Sequence, residues 1–587
     1  MQRDEAVGVT DPSLNWGSDV VAEMLRRLGI EYVCINPGSS FRGLHDSLVN
    51  YLGNERPTLL LSLHEESAVA VAHGYAKAAG KPMAVVLHSN VGLMLGMMSV
   101  FNAWCDRVPI LMLGATGAVD SAVRRNWIDW LHTSRDQGAL IRNFVKWDDQ
   151  PASPAAAIEA ILRANMMACT QPCGPSYVAL DRRLQEDVLS EPIKFPNMDL
   201  FLPPAAAAPS TETVEKAASM LAGSNRPVML VGRVSRSKQD WDARIRLAEM
   251  LGARVITDLR FGAAFPTAHA LHGAPPDLFL TEGNRRILAD ADVVLSLGWD
   301  DLADVMRQAI NDGAQRAQTI HVSVDHHVHN GWSGDHQRLA PVDLRIAVEP
   351  DMILAPLIEA LHKRSIAPAR PDEAKPHATA PGQRKSSKPT LRDIGVALRK
   401  ARGNRALCLA RVPLNWPAGA YPFEHPMDYL GYDGGGAVGS GPGMTVGAAL
   451  ALKGSDRLTV GLMGDGEFIG GATGIWTAAH YRIPLLIVVA NNRSYYTDEV
   501  QQEAVALARN RPTQNKWIGQ RLDNPPVDIP GLARDLGFET EATVEDQADI
   551  AAALERGLAA VESGRSYLLD ISIEPTDGSS MEWLNHH

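Results

Sequence analysis

The apolar residues of this chain fall into short β-branched runs separated by longer stretches of helical spacing. Residues 83–87, 110–113, 228–231, 293–297, 458–463 and 485–490 are nearly continuous in apolar character, as parallel strands covered on both faces are. Between such runs lie helical stretches, for example 67–79 and 243–251. The alternation predicts an α/β protein with doubly wound parallel sheets. Two composition shifts interrupt it: residues 201–211 are rich in Pro and Ala, and residues 363–389 are rich in Pro, Ala, Lys and Ser without periodicity. Both read as linkers. They divide the chain into an N-terminal domain over 1–200, a central Rossmann-like domain over 210–362, a linker over 363–389 and a C-terminal domain over 390–587, each of ordinary domain size. No short-period tandem repeat is present.

Composition narrows the classes of function. Of the 587 residues 45% are hydrophobic and 21% charged, as in ordinary globular domains. The net charge of −12 argues against a nucleic-acid partner, because affinity for phosphates comes from Lys and Arg. Cys34, Cys105, Cys169, Cys173 and Cys408 form no CxxC pair, which argues against zinc and suits a reducing compartment. The first 19 residues hold no apolar signal core. The apolar stretch 85–104 contains His88, Asn90, Asn102 and several glycines, and reads as buried strand and helix rather than a membrane span. A cytoplasmic location without membrane association is expected.

The strongest chemical signal is Gly464-Asp465-Gly466, followed after 24 residues by Asn491-Asn492. One apolar run ends at Gly464 and another just before Asn491. Ligands of open α/β sheets collect at the carboxyl ends of strands, so Asp465 and Asn492 are expected side by side. Magnesium takes hard oxygen ligands, few from protein and the rest from phosphate and water. Asp465 offers a carboxylate oxygen, Asn492 an amide oxygen, and a backbone carbonyl near Ser494 a third. Gly466 lets the backbone approach an anion closely, and a helix starting near Gly471 would point its N-terminus at it. Taken singly, both motifs are common turns; their combination between two buried strands is much rarer. Gly434-Gly-Gly-Ala-Val-Gly439 fits GxGxxG, but it follows no clear strand and no acidic residue stands at the expected distance, so it is not read as a dinucleotide fingerprint.

The GDG–NN pair, with the text of residues 474–484, resembles the thiamine diphosphate (ThDP)-binding motif of the family that includes benzoylformate decarboxylase, pyruvate decarboxylase and acetohydroxyacid synthase. The resemblance covers nearly the whole chain. It implies pyrimidine-binding, central and diphosphate-binding domains, with ThDP and Mg2+ as cofactors. It also implies a cofactor held between the N-terminal domain of one subunit and the C-terminal domain of another, hence a homodimer or homotetramer. Asp465, Asn492 and Ser494 would hold the metal, and Gly464, Gly466, Glu467 and Tyr495 would line the cofactor. Glu467 departs from the small residue usual in the family. The loop Ser440-Gly441-Pro442-Gly443 would lie under the cofactor, with a carbonyl near Ser440 accepting from the aminopyrimidine. Pro442 would stand where a bulky apolar residue keeps the cofactor bent.

The N-terminal domain carries His64-Glu65-Glu66 and then Gly74-Tyr75-Ala76, with Glu65 where the largely apolar run 59–63 passes into helix. ThDP must lose the proton at C2 of its thiazolium, and a carboxylate bonded to the aminopyrimidine promotes that loss. The resemblance assigns this role to Glu65, leaving Glu66 as a first-turn acid favoured by the helix dipole. Asn36-Pro37-Gly38-Ser39 follows the run 32–35, and His88-Ser89 follows the run 83–87; Asn102-Ala103-Trp104 comes after. This set is most similar to benzoylformate decarboxylase. It implies that Ser39 binds a substrate carboxylate and that His88 assists proton transfer; the bland alternative for His88 is a satisfied core histidine. That enzyme's second active-site histidine, from the middle domain, falls at Val305 here. His326, His327 and His329 lie nearby, on an expected solvent-facing loop after a strand over 319–324.

The central domain offers only the short Val231-Gly232-Arg233 where some relatives bind FAD or ADP, and reads as structural and pocket-shaping. The polar segment 498–526 is a lid or a surface loop. Met581, Trp583 and Leu584 either close the pocket or pack on a neighbour. The expected activity is ThDP- and Mg2+-dependent decarboxylation of a 2-oxo acid through a thiazolium ylid and an enamine. An acetolactate synthase-like carboligase, a C–C bond hydrolase acting on a dione, and a non-catalytic subunit are the alternatives.

Overall fold

The structure, a computed structural model, describes residues 4–8, 13–309, 316–327, 339–364 and 388–574. Most of the linker expected over 363–389, together with His329, Met581, Trp583 and Leu584, lies outside the described residues. Three parallel sheets account for the apolar runs. The first holds β1 (Tyr32–Ile35), β2 (Thr58–Leu61), β3 (Met83–Leu87), β4 (Ile110–Thr116), β5 (Asp148–Asp149) and β6 (Pro175–Asp181), in the order 2-1-3-4-6-5. The second holds β7 (Pro227–Val231), β8 (Arg254–Thr257), β9 (Val293–Leu297), β10 (Gln318–Val322) and β11 (Leu344–Ile346), in the order 11-10-9-7-8. The third holds β12 (Ala406–Arg411), β13 (Arg457–Gly464), β14 (Leu486–Asn491), β15 (Glu539–Thr540) and β16 (Tyr567–Ser572), in the order 12-13-14-16-15. Central strands such as β3, β9 and β14 are buried at every position, which explains their unbroken apolar text. The α/β class expected from the alternation is the one observed.

The first and third sheets share one apolar core. Val71 and Tyr75 from the Glu65–Ala79 helix meet Val446, Leu450, Phe468 and Ile475 of the C-terminal part. Close approach of the Glu65–Ala79 and Gly441–Ala451 helices depends on glycine. A Cβ on Gly74 would lie 2.0 Å from the Met444 carbonyl oxygen, and one on Gly447 would lie 1.9 Å from that of Val71.

A buried charge cluster ties in the central part. Asp106 accepts from Lys77 Nζ at 2.6 Å and pairs with His73 Nε2 at 2.8 Å. Arg233 Nη1, from the loop after β7, donates to the Asp106 carbonyl oxygen at 2.7 Å. Arg236 donates to the Lys77 carbonyl oxygen at 3.1 Å and to that of Leu430 at 2.7 Å. Burial alone would raise the Asp106 carboxyl, but Lys77, His73 and Arg233 outweigh it and hold the group well below its usual range. No helix among the described residues is long and apolar enough to cross a membrane.

Gly447→Ala tests the helix contact. It should destabilise the protein by at least ~1–3 kcal/mol, the usual penalty for overpacking, and lower the first thermal transition in scanning calorimetry. An unchanged transition would show that the two helices can part freely.

Candidate active site

Parallel pairing of β13 with β14 sets Gly464 opposite Ala490, so the chain leaves both strands at the same level. Asp465 opens the Asp465–Gly471 helix and is 3% exposed. Its Oδ2 is buried and has no hydrogen-bond partner among the described residues. Burial pushes the carboxyl up to about 6, against the opposing pull of the Gly466, Arg493 and Ser494 N–H groups. Asn492 stands two residues before Ser494 and accepts the Ser494 N–H through Oδ1 at 2.9 Å. The Ser494 hydroxyl donates to Glu499 at 2.5 Å, and its backbone carbonyl is a further oxygen at this turn. Asp465, Gly464, Gly466, Glu467, Asn492, Ser494 and Tyr495 all line one cavity of about 450 Å3. Gly466 gives the Tyr495 ring its place, since a Cβ would lie 2.5 Å from the ring and displace it. A buried carboxylate oxygen with no partner, beside an amide oxygen, is a donor set that fits a hard cation.

The helix expected near Gly471 starts at Thr473, and a further helix, Asp465–Gly471, precedes it, so the helix N-terminus at the cavity belongs to Asp465 itself. Ser440 and Pro442, expected under the cofactor, are not among the residues that line this cavity. Ser440 is 1% exposed and gives its hydroxyl to Asp433 at 2.7 Å. Pro442 occupies the first turn of the Gly441–Ala451 helix, where its missing N–H is harmless, and a Cβ on Gly471 would lie 3.1 Å from its Cδ. The side chain that this loop does present to the cavity is Val438. Glu467, the departure from the family pattern, is satisfied by local partners. Its Oε1 accepts the Gly441 N–H at 2.7 Å and lies 3.6 Å from Arg411 Nη2. Arg411 in turn lies 3.3 Å from Asp433 and stacks 3.6 Å over the Tyr432 ring.

Glu65 does not line this cavity. It opens the Glu65–Ala79 helix, capped by His64, and is 6% exposed. His88 caps the Ser89–Cys105 helix at the end of β3. A methyl group on Gly92 would lie 2.8 Å from Glu65 Oε1 and 3.1 Å from His88 Cβ, so the carboxylate and the histidine bracket one spot. Ser39 is exposed; its neighbour Ser40 is buried and pairs through Oγ with His88 Nδ1 at 2.8 Å. The two serines begin a 3-10 turn, in which successive side chains diverge by roughly 120°, so only one of them reaches His88. His132 also stands at His88, with ring centroids 4.6 Å apart and planes at 86°. Its Nδ1 is buried without a hydrogen-bond partner among the described residues. Burial, and then the His132 and Arg125 charges, push His88 down to about 4, so it is neutral at pH 7. Sequence reading missed His132, because it follows a four-residue helix in an irregular stretch with no periodicity to place it. Val305 is buried in the core of the central part, and His326 is exposed; neither approaches this constellation.

Three α/β units with a polar cavity at the strand ends of the third and a buried carboxylate on the first define a cofactor-dependent α/β enzyme. Family models describe the three parts in order: the N-terminal TPP binding domain of thiamine pyrophosphate enzymes over residues 15–140, their central domain over 214–333 and their C-terminal TPP binding domain over 414–571. The chain belongs to the thiamine pyrophosphate enzyme family. It is 27% identical to benzoylformate decarboxylase from Pseudomonas aeruginosa, across 94% of this chain and 98% of that one. It is 23% identical to the acetolactate synthase large subunit from Lactococcus lactis, across 89% of this chain and 90% of that one. A solved thiamin diphosphate-dependent enzyme from Mycobacterium smegmatis superposes with a TM-score of 0.78 at 25% identity, covering 96% of this chain and all of that one. The fold is shared with the 4-hydroxybenzoylformate decarboxylase of Rhodococcus jostii, at a TM-score of 0.76 and 22% identity over 95% and 99% of the two chains.

Asp465→Asn should abolish the stabilisation that Mg2+ gives in a thermal-shift titration with ThDP present. A carboxyl raised to about 6 lends stability that is lost as pH rises through 6, so the ligand-free variant should be no less stable than wild type at pH 7.5. In wild type, Mg2+ affinity should fall as pH drops below about 6, because the ligand must ionise.

Proposed function

We propose that this chain is a ThDP- and Mg2+-dependent decarboxylase of 2-oxo acids, akin to benzoylformate decarboxylase and working as a homodimer or homotetramer. The observation that carries the reading is the Asp465 carboxylate, whose buried Oδ2 has no partner, beside Asn492 in one cavity, on a chain that also places a buried Glu65 at the start of a helix in the first sheet's domain. When bound, the cofactor supplies a thiazolium that accepts the electron pair left by departing carbon dioxide. Asp465, Asn492 and the Ser494 carbonyl would hold the magnesium. Gly464, Gly466, Glu467, Tyr495 and Val438, which line the same cavity, would surround the diphosphate end of the cofactor. Glu65 would hold a proton for the aminopyrimidine. Ser39 or Ser40 receives the substrate carboxylate. His88, held through Nδ1 by Ser40, would keep a neutral Nε2 free to accept or relay a proton, and His132 stands beside it as a second imidazole.

A second copy of the chain completes the site. Met94, Leu95 and Met98 on the helix after His88 are exposed, as are Trp127, Trp130 and Leu131 just before His132. An apolar face of this kind on a stable protein is covered by a partner, and Glu65 and Asp465 belong to different walls. A carboligase reading is favoured only by the acetolactate synthases among the relatives.

Carbon dioxide release should be measured from aryl and alkyl 2-oxo acids with ThDP and Mg2+, together with the organic product. An aldehyde product and a loss of at least ~100-fold in Glu65→Gln, the scale of proton-transfer catalysis, are expected. A hydroxyketone product would move the assignment to carboligation. No release from any acid would end the decarboxylase reading. Mixing Glu65→Gln with Asp465→Asn subunits should restore activity, since an intact pair of walls then forms between copies. Failure to restore any activity after subunit exchange would place both walls within one chain.

A further inference from the structure

The loop that carries Asn492 and Ser494 is not held by the third sheet alone. Tyr495 N–H donates to the Gln520 carbonyl oxygen at 2.9 Å, and Leu522 N–H donates to that of Arg493 at 2.8 Å. Residues 493–495 and 520–522 are therefore bonded as a short antiparallel pair, bridged at Ser494 and Arg521. Between them run the Tyr496–Ala508 helix and a turn-rich stretch, so the expected lid or loop is part helix and part turns, joined to the cation loop at both ends. A side-chain contact locks the root. Glu499, in the first turn of that helix and 2% exposed, accepts the Ser494 hydroxyl at 2.5 Å and Arg521 Nε at 3.2 Å through the same oxygen. Arg521 lies 5.8 Å over the Trp517 ring. Neither Glu499 nor Arg521 lines the cavity.

We propose that Glu499 and Arg521 are positioning residues for the cation site, acting through Ser494 to fix the loop that presents the Asn492 amide oxygen and the Ser494 carbonyl. The inference rests on the cation reading of Asp465, Asn492 and Ser494. Its physical basis is that a loop ligand binds well only if its direction is set before the ion arrives. Partners behind metal ligands contribute roughly 10–100-fold to metal affinity in this way. A buried carboxylate also requires a partner for its charge. Arg521 supplies it from the far end of the 496–522 segment, so the state of that segment and the geometry of the cation loop are tied together.

The test is calorimetric titration of Mg2+ into the full-length protein at saturating ThDP, with trypsin digestion of the 496–522 segment in parallel. Glu499→Ala should weaken Mg2+ binding ~10–100-fold, and activity should return as Mg2+ is raised to saturation. Glu499→Gln, which still accepts from Ser494, should fall between Ala and wild type. Mg2+ and ThDP should protect the segment from trypsin in wild type more than in Glu499→Ala. If Glu499→Ala does not fold, Arg521→Met, whose side chain is nearly half exposed, carries the same expectation. Binding within twofold of wild type would overturn the proposal, and so would an activity loss that excess Mg2+ does not recover. A wild-type protein that binds no Mg2+ would instead remove the cation reading beneath it.

Discussion

The contact between the Glu65–Ala79 and Gly441–Ala451 helices is the constraint on which the rest of this molecule depends. Each helix begins beside a candidate site: Glu65 opens one, and the loop of Asp433, Val438 and Ser440 leads into the other. Gly74 and Gly447 let the backbones touch, and the shared core of Val71, Tyr75, Val446 and Phe468 fills the space around them. Fixing these two axes fixes the first and third sheets relative to each other. The positions of Glu65 and of the Asp465 cavity then follow from strand register and helix length, without further adjustable parts.

Polar groups buried near that contact are affordable only because most are paired. Asp106 gathers Lys77, His73 and Arg233, and Glu467 and Asp433 surround Arg411. Asp465 differs, with one buried oxygen lacking a partner. A folded protein rarely leaves a carboxylate oxygen dry and unbonded, and the desolvation that raises this carboxyl is what a divalent ion would relieve. His88 differs in the other direction, since burial and a neighbouring imidazole keep it uncharged.

Sequence reading and structure part mostly at turns. Ser39 was expected to receive a substrate carboxylate, and it is Ser40 that bonds His88, because a 3-10 turn rotates neighbouring side chains apart. The helix expected near Gly471 begins at Thr473, and a further helix precedes it from Asp465, because extended backbone at Gly464 leads directly into the first helical turn. Turn geometry depends on backbone angles that side-chain identity constrains only weakly.

The sequence by itself determined the α/β class, the alternation of strands and helices, and the strand ends at which Glu65, His88, Asp465 and Asn492 emerge. These follow from local rules, since a buried parallel strand must be apolar throughout and its carboxyl end is where polar text resumes. Tertiary structure alone decided that His132 meets His88, that Glu499 and Arg521 brace Ser494, and that Val305 is core. Those contacts join residues from irregular stretches or from distant elements, where no period links the partners. Only the packing of whole elements brings them together.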